Sequence, residues 1–167
     1  IFLPTKTSYS NLNFKSVYSF RSYTLFKANY NIEYALNDDF ALLLSTSGST
    51  ASQKFVRLSN INIDSNANAI SQYLKITSSD RPIATMPMSY SYGLSIINSH
   101  LLMGSSIILT NASLMDRSFW ELFKDNNATT FGGVPYIYEI LKKLRFEDMN
   151  LPSLKYIQSV FLALSVQ

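Results

Sequence analysis

Apolar and polar positions follow several rhythms along this chain, and each rhythm marks a kind of element. Residues 5 to 39 are rich in Ser, Tyr and Asn, and around VYSFRSYTLF the side chains alternate in a way that predicts extended segments. At Phe40 the pattern changes to a short apolar run, FALLLS, closed by a Ser/Thr/Gly cluster. Such a run predicts a buried strand leading into a loop. KFVRLS then alternates like a second short strand. Ile63, Ala67, Ile70 and Leu74 recur at helical spacing, predicting a helix over roughly 62–75 with nearby Asn and Asp residues as caps.

Further along, RPIATMP reads as a strand, YGLSIINSHLLM as a helix apolar on most sides, and SSIILT as an isoleucine-rich strand, all expected to be well buried. Asp116 can cap a helix carrying Phe119, Trp120 and Phe123, whose spacing on one side suits a core-facing helix better than an aromatic ligand box. ATTFGG gives a strand and turn, and Pro135 suits the first turn of PYIYEILKKL, with Ile137, Ile140, Leu141 and Leu144 as its apolar stripe. Strands alternating with helices predict an α/β fold, a largely parallel sheet flanked by helices on both faces. In such folds ligands gather beyond the carboxyl ends of the strands. Residues 1–39 read as peripheral extended segments leading into a domain over 40–167, and no internal repeat is present.

Composition narrows the classes of function. With 167 residues, 47% hydrophobic and 15% charged, the chain can build one sizeable core and is not disordered as a whole. The net charge of +3 comes from basic residues scattered in ones and twos, so nucleic acid is not implied as a partner. There is no cysteine, which excludes disulfides and thiolate metal sites and fits a reducing compartment; no metal-ligand cluster is read from the sequence. IFLPTKTSYS lacks the features of a secretory signal, and no run of eighteen apolar residues occurs, so no transmembrane segment is expected and the reading is cytoplasmic. A chain opening on Ile1 and stopping at Gln167 after the apolar run LKYIQSVFLALSVQ is expected to be part of a longer one.

The stretch LSTSGSTASQKFVRL, residues 44 to 58, carries the candidate chemistry. Small residues at Thr46, Ser47, Gly48, Ser49 and Thr50 let backbone amides turn inward and add hydroxyl donors toward phosphate oxygens, while Lys54 supplies positive charge. A Walker-type loop needs Gly before the lysine and Ser or Thr after it, but Gln53 and Phe55 stand there. On its own the stretch also reads as a polar surface turn.

Context favours phosphate binding. TSGSTASQKFVRLSNINI resembles the signature loop of the AMP-forming (adenylate-forming) acyl, aryl and amino-acid ligases, TSGSTGxPKGVxxxHxN. MPMSYSYGL resembles that family's PxxHxxG segment, and TFGGVPYIYEIL its GVP segment leading into a helix, in the same order. The resemblance covers about residues 40 to 160 and leans toward acyl-CoA or fatty-acid ligases through SNANAISQYL and YSYGLSIINSHLLMGSSIILT. It implies part of a large N-terminal domain that binds ATP with Mg²⁺, activates a carboxylic acid as an acyl adenylate, and passes it to CoA or a carrier phosphopantetheine, with an acyl carrier protein as a possible partner. It further implies that Thr46, Ser47, Gly48, Ser49, Thr50 and Lys54 hold the triphosphate, and that Tyr90, Gly93, Gly133, Val134 and Pro135 line the acyl site. No catalytic residue is assigned within this chain.

Two of those pocket residues also have a packing reading, Tyr90 in the core and Gly93 in helix packing, and the neighbouring Gly132 reads equally as a plain turn. The sole histidine, His100, sits inside an apolar helix and reads as core. The resemblance breaks at Ala51, Gln53, Phe55, Asn60, Phe161 and Leu162, where the family has glycine, proline, glycine, histidine and a glycine pair. Alanine at a left-handed position costs on the order of 1 kcal/mol. These departures keep a second reading open, a degenerate family member that binds nucleotide or a partner without catalysis. A structural α/β module with an incidental loop is a third.

Overall fold

The computed structural model describes residues 2–4, 14–28, 35–45 and 54–159. They divide into two compact units, Ile1–Asn37 and Asp38–Gln167. The first is a three-stranded antiparallel sheet of β1 (Phe2–Pro4), β2 (Phe14–Phe20) and β3 (Tyr23–Ala28), in the order β1-β3-β2. The alternation read from VYSFRSYTLF is the β2–β3 hairpin, turned at Arg21, whose φ of 53° lies in the left-handed region.

In the second unit, β4 (Phe40–Ser45) and β5 (Phe55–Ser59) pair antiparallel, with Ser45 opposite Phe55. FALLLS is therefore a hairpin strand, and Leu43 is 50% exposed rather than buried. A continuous apolar run does not say how many faces are covered, which is why the expected burial failed. Helix α1 (Asn60–Leu74) starts two residues before the predicted bound because Ser59 is its cap. The Ser59 hydroxyl accepts from Asn62 N–H while the Asn62 side chain accepts from Ser59 N–H, a reciprocal capping box. Ala67, at the centre of the predicted stripe, is buried.

Next come β6 (Pro82–Ala84), α2 (Ser91–Leu102), β7 (Ile108–Leu109), α3 (Arg117–Asp125), β8 (Thr130–Gly133), α4 (Pro135–Lys143) and β9 (Tyr156–Ser159). The last strand lies in the LKYIQSV run, which the sequence reading left without an element. These four strands form a wholly parallel sheet in the order β7-β6-β8-β9. The expected parallel sheet with flanking helices is thus present, alongside antiparallel strands that the alternation of elements did not reveal.

The glycines and phenylalanines of β8 show which helix covers which face. Phe131 packs with Phe119 and Phe123 of α3 and Ile140 and Leu141 of α4. Gly132, pointing the other way, lies against Ile96 and Tyr92 of α2. Phe119, Phe123 and Phe131 are fully buried, and Trp120 stands edge-on to Phe119 and Phe131 while its Nε1–H donates to Leu114 O at 2.8 Å. The aromatic helix is core, as its spacing predicted. Asp116 occupies the cap position of α3, but its carboxylate accepts from Ser113 N–H at 2.9 Å, not from the helix. Capping there turns back into the preceding loop.

At the strands' amino ends the buried Asp80 meets Lys155 at 2.6 Å and accepts from Thr77 N–H at 2.7 Å. Burial raises the Asp80 pKa, but Lys155 and the Thr77 donors outweigh it and hold the carboxyl below its ordinary 3.8. A lowered folded-state pKa contributes stability that is full at neutral pH and lost as pH falls through 3.8 and below. Asp80→Asn is expected to cost about 1–2 kcal/mol at neutral pH, discounted because Lys155 is half-exposed. Urea titrations should show the gap from the unsubstituted protein closing in acid; a gap independent of pH would exclude the ionic contribution.

Candidate functional site

The strand order contains a switch point. β6 leads through α2 to β7 on one side, whereas β8 lies on the other, and it is beyond the carboxyl ends at such a point that open α/β sheets form a ligand crevice. The Thr85 hydroxyl donates to Gly132 O and ties the two strand ends together. The segment after β6 carries Tyr90 and Gly93, and the segment after β8 carries Gly133, Val134 and Pro135. Two stretches far apart in sequence thus meet at one crevice.

Side-chain placement refines the five predicted pocket residues. Tyr90 is the N-cap of α2, and its side chain is 58% exposed. Gly93 is buried, and a Cβ there would lie 2.2 Å from Pro87 O and 2.8 Å from Met86 O. Its role is close approach of helix to loop. A Cβ on Gly133 would meet Ile137 Cγ2 at 2.7 Å, so this glycine admits the first turn of α4. Val134 caps that helix and is half-buried, and Pro135 opens it, exposed.

The aromatic that reaches the strand ends is Tyr92, which the sequence reading did not single out. Its hydroxyl is buried, would sit 2.8 Å from a Cβ on Gly132, and lies beside the Gly133 N–H. Burial first, and then neighbouring Tyr138, push the Tyr92 pKa up to about 12, with the Gly133 N–H working the other way. Tyr92 is therefore a neutral O–H donor. Tyr138, whose pKa burial also raises, donates to Gln158 O at 2.7 Å. The available signal was helical register: Tyr92, not Tyr90, shares a face of α2 with Ile96.

Thr46, Ser47, Gly48, Ser49 and Thr50 lie outside the described residues, as do Ala51, Gln53, Phe161 and Leu162. The hairpin that carries the loop is described: closure at Ser45 and Phe55 brings the ends of segment 46–54 together and sets the exposed Lys54 beside that pair. A groove of about 540 Å³ runs from Leu44 and Leu58 of this hairpin past Asn62 and Asn66 of α1 to Tyr92 and Ser95 of α2. His100 is fully buried, with Nδ1 2.7 Å from Ile96 O, and burial lowers its pKa. That agrees with its reading as a core residue.

A parallel sheet with its crevice at a switch point, and a loop-bearing hairpin beside it, define the class as an α/β ligand-binding domain. The chain belongs to the AMP-binding enzyme family, whose model matches residues 6–166. It is 32% identical over 126 residues to an oxalate–CoA ligase of Arabidopsis thaliana, covering 73% of this chain and 24% of that protein. It is 29% identical over 133 residues to the acyl-CoA synthetase ALT10 of Alternaria alternata, covering 78% and 23%. The fold matches the N-terminal domain of FACL13 from Mycobacterium tuberculosis with a TM-score of 0.65 and 21% identity, covering 79% of this chain and 33% of that one. The chain spans about a quarter of the length of the curated relatives it matches. No helix among the described residues is long and apolar enough to cross a membrane.

Proposed function

We propose that this chain supplies the triphosphate-holding loop and part of the acid-binding crevice of an ATP-dependent, AMP-forming acid–thiol ligase. The observation that carries this reading is the groove that runs from the loop-bearing hairpin past α1 to Tyr92 of α2, whose ring lies against Gly132 at the end of β8, in a chain of the AMP-binding enzyme family. In the proposed reaction a carboxylate oxygen attacks the α-phosphorus of ATP, the bond to pyrophosphate breaks, and the acyl adenylate passes its acyl group to a thiol with release of AMP. Thr46, Ser47, Gly48, Ser49, Thr50 and Lys54 would hold the triphosphate, Mg²⁺ arriving with the nucleotide. Positioning and charge neutralisation are what such a transfer asks of a protein, and a donor-rich loop with one lysine suits it.

Tyr90, Gly93, Gly133, Val134 and Pro135 are proposed to border the acyl site, the glycines by shaping its walls. Relatives named as CoA ligases and synthetases support CoA as the acceptor, with a carrier phosphopantetheine as the alternative. The proposed setting is cytoplasmic, and residues 1–39 are proposed as a periphery to the AMP-binding domain of 40–167. The reading is tested on the ligase that carries this chain: pyrophosphate should appear from ATP·Mg²⁺ only when a carboxylic acid is added, and a CoA thioester should follow. Nucleotide binding without pyrophosphate release across a broad acid panel would instead establish the non-catalytic reading, which Ala51, Phe55 and Asn60 favour.

A further inference from the structure

The connections that enter the four parallel strands converge on one cleft. The loop before β6 contributes Ser78 and Arg81, the loop before β7 Ser106, the turn before β8 Asn127 and Thr129, and the segment before β9 Lys155. The cleft has a volume of about 550 Å³, within the range of small-molecule sites. It opens at the amino ends of the strands, whereas Gly132, Gly133 and Tyr92 lie toward the carboxyl ends, about 10 Å further along β8. It shares no lining residue with the groove beside the hairpin.

The floor of the cleft is tied in place by its own loops. Arg81 N–H donates to Thr129 Oγ1 at 2.8 Å, Thr129 N–H to Arg81 O at 2.9 Å, and Lys155 N–H to Thr129 O at 2.7 Å. The Ser153 hydroxyl donates to Ala128 O at 2.8 Å, and the Ser105 hydroxyl to Thr77 O at 2.7 Å. Above this floor the charge is positive. Arg81 and Lys155 line the cleft, and among the described residues no carboxylate does. Asp80 lies beneath, 2% exposed and committed, with Oδ1 on Lys155 and Oδ2 on the Thr77 N–H and hydroxyl. Two cations against one carboxylate leave an excess positive charge. Arg81 is exposed and spends Nη1 on Asn126 O at 3.2 Å, which leaves further N–H donors of its fork for a ligand. Ser78, Ser106 and Asn127, all exposed, add hydroxyl and amide donors from three different loops.

We propose that this cleft is a binding site for the phosphate monoester of a small polar molecule, separate from the nucleotide and acid sites of the proposed ligase. Donors that converge from several loops surround a tetrahedral oxyanion, whereas a planar carboxylate meets only those lying near its plane. A phosphate monoester carries a charge of about −1.5 to −2 at neutral pH, so it gains more than a carboxylate from the excess positive charge. The volume admits an esterified body as well as the phosphate, and the exposed Ser78 and Asn127 side chains supply hydrogen bonds for its hydroxyls.

Calorimetric titration of the ligase that carries this chain with glycerol 3-phosphate and with glycerate tests this, since both ligands present a polar three-carbon body. Without ATP, glycerol 3-phosphate should bind about tenfold more tightly than glycerate. Arg81→Gln should weaken glycerol 3-phosphate by about tenfold or more, and Ser106→Ala by about threefold. Both side chains are exposed and outside the hydrophobic core, and melting curves check that both variants fold. Saturation with ATP·Mg²⁺ should leave the affinity for glycerol 3-phosphate unchanged. No binding of glycerol 3-phosphate, glycerate bound as tightly, or an affinity unchanged in both variants would each overturn the proposal. Competition by ATP·Mg²⁺ would overturn it too, by placing the phosphate in the nucleotide site. None of these readouts is carboxylate-dependent pyrophosphate release, so this site and the ligase reading stand or fall separately.

Discussion

Lys54→Ala is expected to slow carboxylate-dependent pyrophosphate release about 10²- to 10³-fold, with little change in thermal stability. The size follows from removing one preorganised charge or donor from a transition state in which negative charge gathers on phosphate oxygens. On the proposed reading, the neutral hydroxyls and amides of Thr46 to Thr50 would position that charge without neutralising it, which leaves that task to Lys54. Lys54 lies beside the closing Ser45–Phe55 pair of the hairpin and is exposed, so its loss should change unfolding free energy by no more than about 0.5 kcal/mol. Stopped-flow or coupled pyrophosphate assays on the ligase carrying this chain, with melting curves alongside, separate the two effects. An unchanged rate would take Lys54 out of the mechanism; a rate lost together with several degrees of melting temperature would mark it as structural.

Gly93→Ala should be the most damaging single-carbon change in the described part of the chain. The added Cβ would lie 2.2 Å from Pro87 O and 2.8 Å from Met86 O, both backbone atoms that no rotamer change can move. Gly133 meets only the Ile137 side chain at 2.7 Å, and side chains yield more easily. To admit the methyl group, α2 must lift from the loop after β6, disturbing Ile96 and Tyr92 above Gly132. Overpacking of this severity costs about 3 kcal/mol, which for a chain of this size is roughly 6 to 12 °C of melting temperature. A shift within about 2 °C would show that the Met86–Pro87 segment gives way.

The two glycines illustrate why a motif residue and its physical task are read at different levels. In sequence, Gly93 and Gly133 mark a resemblance and suggest room for a ligand. In the fold they are where a helix touches a loop and where a helix begins, and the polar group at the crevice is Tyr92. The gap arises because glycine records only the absence of a side chain, while what fills the space is set by elements distant in sequence.

What the sequence by itself determined here is local: the helices from their apolar spacing, Pro135 at the first turn of α4, the aromatic face of α3, and the ordered motifs that place the chain in its family. These rest on interactions within a few residues, and their imprint survives in composition and spacing. The tertiary structure decided the rest. FALLLS became a half-exposed hairpin strand, LKYIQSV yielded β9, the strand order β7-β6-β8-β9 set the switch point, and Tyr92 came to lie over Gly132 under α2. Each of these depends on which face meets which neighbour across tens of residues, a choice made by packing and pairing over the whole unit that no short window of sequence contains.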